Sequence, residues 1–393
     1  MRHSLKAHFS LSTGSPSRGA ADASLHFAAH SHHPWPDVSR TAQAQAWDDA
    51  ARLLDGKWGH VFGNVLPEAQ RHVARVLHLP DPSSLVFAPN THDFVVRLFS
   101  CFPAGKRLRI LASDAEFHSF TRQTMRLEEE GLAEIVRVPA QPHESFAARF
   151  VEAANAGVFD LAFVSHVFFN SGFIVPELPT LVAAISPHSN FIVIDGYHGF
   201  MAVETDLSAI AARAFYLAGG YKYAMAGEGV CFMHCPPGFG PRPRDTGWYA
   251  EFGALEKPRD GSIGYGSDGS RFAGATFDPS GLYRLNAVMR WQQALGIPIS
   301  AQHAYVQDLQ QHFLEGLGTR SVLSPSMLAV PEARARGRFL TFITPKAAKI
   351  HDGLAAQRVM TDYRADRLRV GFGVYHDVAD VEALLRALNT LSP

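Results

Sequence analysis

Cysteine is scarce. The chain has three in 393 residues, Cys101, Cys231 and Cys235. That excludes a disulfide framework. Cys231 and Cys235 stand at CxxxC spacing with His234 between them, and no further cysteine follows to complete a thiolate metal site. They flank and enter the apolar run Val230-Cys231-Phe232-Met233, which reads as a strand with buried thiols. An excess of charge is also missing. Lys and Arg total 36 against 37 Asp and Glu, a formal net charge of -1. A general nucleic-acid or polyanion binder would carry a basic excess, so that class is excluded. No apolar stretch is long enough to span a membrane, and the first 24 residues, rich in Ser, Gly, His and Ala, hold no apolar signal core. A cytoplasmic protein acting on a small molecule is expected, without nucleic-acid or membrane partners. Neither a GxGxxG after an early strand nor a P-loop occurs, which weighs against a nicotinamide- or nucleotide-dependent α/β enzyme.

What is present is core material. Hydrophobic residues make up 47% of the chain, ample for globular domains. Seven short apolar runs alternate with helical patterns in the middle of the chain: Leu85-Val86-Phe87-Ala88, Arg109-Ile110-Leu111-Ala112, Ile135-Val136-Arg137-Val138, Leu161-Ala162-Phe163-Val164, Phe191-Ile192-Val193-Ile194, Ala214-Phe215-Tyr216-Leu217 and the run around Cys231. Runs apolar throughout predict a mostly parallel sheet covered on both faces. We assign residues 25–290 to this large α/β domain and residues 291–393 to a smaller α+β domain. Leu282, Leu285, Val288, Met289 and Leu295 share one face of a long helix. Asp377 is placed to cap a last helix with an apolar face of Val378, Val381, Leu384, Leu385 and Leu388. Residues 1–24 read as an arm, mobile or docked on a partner subunit, and the N-terminal segment is open to packing with the small domain. Residues 260–274, rich in glycine, read as a long functional loop.

In open parallel sheets, ligands bind at the carboxyl ends of the strands. Asn90-Thr91-His92 follows the first run and opens a helix, where free N–H groups suit a phosphate. Asp195-Gly196-Tyr197-His198 follows the fifth run. Gly219-Gly220-Tyr221-Lys222-Tyr223 follows the sixth. An anion cup, an acid and a lysine thus come from different strand ends. Pyridoxal 5'-phosphate needs all three: a cup for its phosphate, a carboxylate at its ring nitrogen and a lysine amine for a Schiff base. Alone, a strand-end Asp reads as a turn residue and a loop Lys as solvated; together and in this order they read as a site.

On these residues the chain resembles the class V aminotransferase family of fold type I pyridoxal-phosphate enzymes, in particular its kynureninase and cysteine desulfurase-like group. The resemblance covers about residues 25–391. It implies the PLP-dependent transferase fold, α/β, with a seven-stranded mostly parallel sheet in the large domain and a small C-terminal α+β domain. The most specific segment is Gly219-Gly220-Tyr221-Lys222-Tyr223-Ala224-Met225-Ala226-Gly227, which implies Lys222 as the Schiff-base lysine and Tyr221 as a phosphate contact. Asp195 and His198 match the family's Asp-x-x-His. The resemblance further implies Asn90, Thr91 and His92 at the phosphate turn, either Phe117 or His118 stacked on the cofactor, Trp248 near the phosphate, and Thr276 reaching the phosphate across a homodimer with shared active sites. Arg369, in Leu368-Arg369-Val370-Gly371, matches the arginine that takes a substrate α-carboxylate. Phe27-Ala28-Ala29-His30-Ser31-His32-His33 falls at the family's entry segment. It reads as a substrate-facing His30, as surface or packing, or as a metal cluster; no metal is assigned.

Two departures shape the expectation. Where cysteine desulfurases place an Asn on the cofactor's phenolic oxygen this chain has Phe169, so either the adjacent Asn170 takes the role or the contact is lost. No cysteine follows Cys235, which argues against Cys-dependent, persulfide-forming desulfuration. The expected activity is therefore transamination or kynureninase-like Cβ cleavage or elimination on an amino acid or amine, with Lys222 moving the α-proton. A non-catalytic PLP-binding relative is the remaining alternative.

Overall fold

Seven strands form the central sheet: β2 (Leu85–Ala88), β3 (Leu108–Ser113), β4 (Ala133–Val138), β5 (Phe159–Ser165), β6 (Ser189–Asp195), β7 (Ala214–Gly219) and β8 (Cys231–His234), after a short β1 (Leu25–His26). They are ordered β2-β8-β7-β6-β5-β3-β4. Pairings among β4, β3, β5, β6 and β7 are parallel, while β8 runs antiparallel to both β7 and β2. The computed structural model describes residues 3–11, 24–238, 242–254, 261–319 and 321–391.

The apolar runs are continuous because each strand feeds two cores. Leu111 of β3 joins one apolar cluster, and its neighbours Ile110 and Ala112 join the other on the opposite face. Ile192 and Ile194 of β6 divide from Phe191 and Val193 in the same way. That is the period of two expressed in a sheet with helices on both sides. Phe163 of β5 stacks on Phe120 at 3.8 Å between centroids. Cys231 and Cys235 are buried free thiols.

The small domain contains an antiparallel sheet ordered β11-β12-β9, with β9 (Phe339–Ile343), β11 (Asp362–Arg364) and β12 (Arg367–Gly371). β10 (Val359–Met360) pairs in parallel with β1, so the N-terminal segment joins this domain. Phe27 lies in the same core as Val370 and Leu388. The helix Ser280–Leu295 buries Leu282, Leu285, Val288 and Met289 as its periodicity predicts. Asp377 caps the last helix, Val378–Asn389, in a capping box with Asp380.

Residues 3–11 pack on their own chain rather than forming a free arm. Phe9 is fully buried, 5.7 Å from the Tyr375 ring and 6.1 Å from Trp291. Leu5 N–H donates to the Val374 carbonyl at 2.8 Å, and Lys6 bonds Asp377 and Asp380 at 3.0 and 2.7 Å. Residues 12–23 of the expected arm lie outside the described residues. Replacing Phe9 with Ala removes an aromatic ring from a closed cluster. We expect a loss of about 3 kcal/mol at most, since a terminal segment can detach locally. Denaturant unfolding of F9A against wild type checks this.

Candidate active site

Strand direction decides where the chemistry collects. β5, β6 and β7 are mutually parallel, and β2 shares their direction through the antiparallel β8. Their carboxyl ends therefore meet at one edge. A cavity of about 380 Å³ opens there, lined among others by Asn90, Thr91, His92, Phe117, Asp195 and Lys222. Tyr197, His198 and Tyr221 complete its inner wall.

Lys222 is the centre. It is 4% exposed, and its Nζ lies 2.8 Å from His198 Nε2. Aromatic rings enclose it: Tyr197 at 4.6 Å, Phe117 at 5.3 Å and Tyr221 at 5.6 Å from the amine. Among the described residues it has no ion pair. Burial pulls its ammonium down to about 7; Asp195 opposes this and Arg369 adds to it. The amine is thus largely neutral above pH 7, the state a nucleophilic lysine requires. Burial also holds His198 far below the usual imidazole range, and its Nδ1 has no partner.

Asp195 ends β6. Its Oδ1 accepts the Tyr197 N–H at 2.9 Å. Burial raises its proton affinity, against that hydrogen bond and the charge of Lys222. Asn90 is the N-cap of the helix Thr91–Ser100, its side chain accepting the Asp93 N–H at 3.0 Å. The first helical N–H groups of Thr91 and His92 consequently face the cavity side of a positive helix end. Phe117, the residue before the helix His118–Glu129, lines the Lys222 cavity. His118 instead lines the adjoining cavity together with His92.

Arg369 comes from the small domain. Its Nη2 and Nε bond Asp362 Oδ1 at 2.7 and 3.2 Å, and Nη1 donates to the Phe169 carbonyl at 2.6 Å. His30 is fully buried with neither ring nitrogen partnered. It stacks on Phe339 at 4.7 Å, beside Gly371, where any side chain would strike the imidazole. Burial first, then the charges of Arg369 and Lys222, keep it neutral. His32 and His33 go elsewhere: His32 stacks on Tyr221 at 5.0 Å, and His33 packs on Tyr375.

Three sequence candidates are not brought to Lys222. Asn170 lines a separate cavity of about 150 Å³ with His143 and Arg367, while the Phe169 side chain takes the wall. A tight turn, Val167 bridging back to Ile174, sends the two neighbouring side chains to different sides. Trp248 and Thr276 bond each other at 3.2 Å, and Thr276 lines a different cavity of about 720 Å³. Conversely, sequence reading passed over Ser119, Ser165, Val167 and Tyr197, which line the site. Ser165 had a usable signal: it ends an apolar run as Asp195 does.

Comparisons with known proteins identify the family and the fold. The sequence model of the family described as aminotransferase class-V matches residues 55–384. The chain belongs to the class V aminotransferase family, and pyridoxal phosphate is its cofactor. It is 24% identical over 351 residues to a probable cysteine desulfurase of Vibrio cholerae, covering 82% of this chain and 81% of that protein. It is 30% identical over 187 residues to isopenicillin N epimerase of Streptomyces clavuligerus, a match spanning 44% of each. Among solved structures, the cystine C–S lyase C-DES in complex with cysteine persulfide superposes with a TM-score of 0.79 at 18% identity, covering 94% of this chain and 98% of that one. The Escherichia coli cysteine desulfurase CsdA gives 0.77 at 15% identity, covering 98% and 96%.

These relatives overturn the exclusion of cysteine desulfuration drawn from the sequence. That exclusion rested on the missing cysteine after Cys235. Breaking a Cβ–S bond by elimination requires no protein thiol, because the sulfur departs with its own electron pair. The fit to pyridoxal phosphate rests on the chain's own groups: a neutral buried amine without an ion pair, a buried carboxylate at the neighbouring strand end and an open helix start share one cavity. Capture of pyridoxal phosphate by the apoprotein should follow the neutral fraction of Lys222. We expect its rate to rise as pH increases through about 7 and to level off well below the free-lysine value. Stopped-flow absorbance measures it, and K222A should show no such phase.

Proposed function

We propose that this enzyme cleaves the Cβ–S bond of a sulfur-containing amino acid, using Lys222 as the acid–base group at the α-carbon. The observation that carries the reading is the depressed proton affinity of Lys222 in an aromatic enclosure, facing a buried arginine from the second domain. The choice of sulfur chemistry is supported by the relatives named for cysteine desulfuration and C–S cleavage.

The residue roles follow from position. Lys222 would hold the cofactor, and as a free amine it would move the α-proton of the substrate. Bound pyridoxal phosphate supplies an electron-withdrawing ring that stabilises negative charge at the α-carbon. Asp195 would pair with the ring nitrogen and keep it protonated. Asn90, Thr91, His92 and Tyr221 would hold the phosphate, and Phe117 would pack against the ring. His198, kept neutral by burial, orients the Lys222 amine through their 2.8 Å contact at Nε2. Arg369 takes the substrate α-carboxylate in place of Asp362, and His30 borders the substrate as a neutral imidazole. On loss of the α-proton, the Cβ–S pair leaves with sulfur, which takes up a proton. Trp248 and Thr276 serve the phosphate of a second copy, in a homodimer with shared sites.

Holoenzyme incubated with cystine and with cysteine tests the reaction. Sulfur release matched by pyruvate and ammonia supports the elimination; release matched by alanine would require a thiol to take the sulfur without its bonding pair and would replace this step. Exchange of the α-proton with solvent deuterium without sulfur release would replace the reading with epimerisation. Accumulation of the pyridoxamine form would replace it with transamination. Removing Arg369 tests recognition separately. A charged hydrogen bond is worth about 1.5–3 kcal/mol, so R369A should raise KM by roughly 10- to 100-fold. R369K should recover part of that loss, lacking the bidentate fork.

A further inference from the structure

The roles above leave one buried acid beside the site unused. Glu116 stands between Ser113, the last residue of β3, and Phe117, and it is 4% exposed. Ser113 Oγ donates to its Oε1 at 2.5 Å, and Ser165 Oγ donates to its Oε2 at 2.5 Å. The Ser165 N–H donates to Oε1 at 3.2 Å. Among the described residues no cation pairs with it. Ser165 lies in register with Asp195 on the adjacent strand. The carboxyl group thus ties the ends of β3 and β5 directly behind the end of β6.

A tie alone would not need an acid: an amide oxygen would accept from Ser113 Oγ and the Ser165 N–H, and its NH2 would donate to a turned Ser165 Oγ. An acid here faces a second buried carboxyl, which is unfavourable when both are charged. Asp195 on β6, in register with the Ser165 that bonds Glu116, acts on it as a like charge, while β3 and β5 supply the Ser113 and Ser165 hydroxyls and the Ser165 N–H. Lys222 acts on Asp195 in turn.

We propose that Glu116 is a positioning residue for Asp195: its charge state sets how firmly Asp195 retains the proton of the cofactor's ring nitrogen. With Glu116 neutral, Asp195 carries the sole negative charge at this sheet edge. With Glu116 ionised, two carboxylates face each other and the shared proton is held more tightly. Burial pushes Glu116 up to about 7; the serine hydrogen bonds oppose the shift and Asp195 adds to it. The change of state therefore falls at neutral pH, with the neutral form below it. The inference rests on Asp195 facing the ring nitrogen, so the test separates the two.

The readout is the visible absorption of bound cofactor in the holoenzyme, recorded from about pH 5 to about pH 9. Wild type should show a spectral step centred near 7. E116Q keeps one acceptor oxygen, turns the other position into a donor to Ser165 Oγ, and cannot ionise; it should bind cofactor and lose the step. S165A removes one donor to the carboxylate and should move the step to higher pH, by roughly one unit. D195N is the control for the underlying reading and must alter the spectrum by itself. A D195N spectrum identical to wild type would remove Asp195 from the ring nitrogen. A D195N effect combined with an E116Q titration that superimposes on wild type would overturn the role of Glu116. Should E116Q fail to fold, an S165A step unmoved from wild type does the same.

Discussion

The site depends on keeping one lysine amine uncharged inside the protein. A charged ammonium would require a carboxylate or several polar partners. Lys222 has a neutral imidazole and three aromatic rings instead. Much of the surrounding structure follows from that. Gly219 sits where a side chain would strike Tyr197 and Cys231, so the chain before the lysine must run close to the strand it leaves. His198 is itself held neutral by burial, so it can accept from the amine without recharging it. Asp195 approaches closely enough to raise the lysine's proton affinity without pairing with it.

The arrangement also divides labour between domains. The lysine, the strand-end acid and the helix start belong to the parallel sheet. Arg369 and its holder Asp362 belong to the antiparallel sheet of the small domain. Asp362 holds the guanidinium through two hydrogen bonds to one carboxylate oxygen. His30 is delivered by a third route, the segment that leaves β1 and bridges Ala28 to Gly371. Its imidazole is buried there without a hydrogen-bond partner on either nitrogen.

Much of this was legible in the sequence, for physical reasons. Strands buried on both faces need apolar residues at every position, so all seven runs announced themselves. Polar residues that end such runs fall at one sheet edge, which located Asp195, Lys222 and the turn at Asn90. The antiparallel insertion of β8 between β2 and β7 left no such trace, because pairing direction is not encoded in apolar content. The choice between Phe117 and His118 turned on a helix beginning at His118, a one-residue boundary that pattern reading does not reach. Asn170 and Phe169 illustrate the same limit in a turn. The cysteine argument failed differently. It drew on the resemblance to Cys-dependent enzymes, whereas sulfur can leave a substrate without any thiol of the protein.

The N-terminal segment carries a consequence for the order in which the molecule is made. Lys6 meets Asp380 across 374 residues of chain, and β1 pairs with β10 near the end of the chain. Synthesis proceeds from the N-terminus, so the large sheet can assemble while these first residues have nothing to pair with. His30 and the strap through Phe9 take their places only after the final helix has emerged. Lys222 and the turn at Asn90 thus precede Arg369 and the partner of β1 in the chain, so the cavity edge of the large sheet is complete in sequence before the N-terminal strap can close.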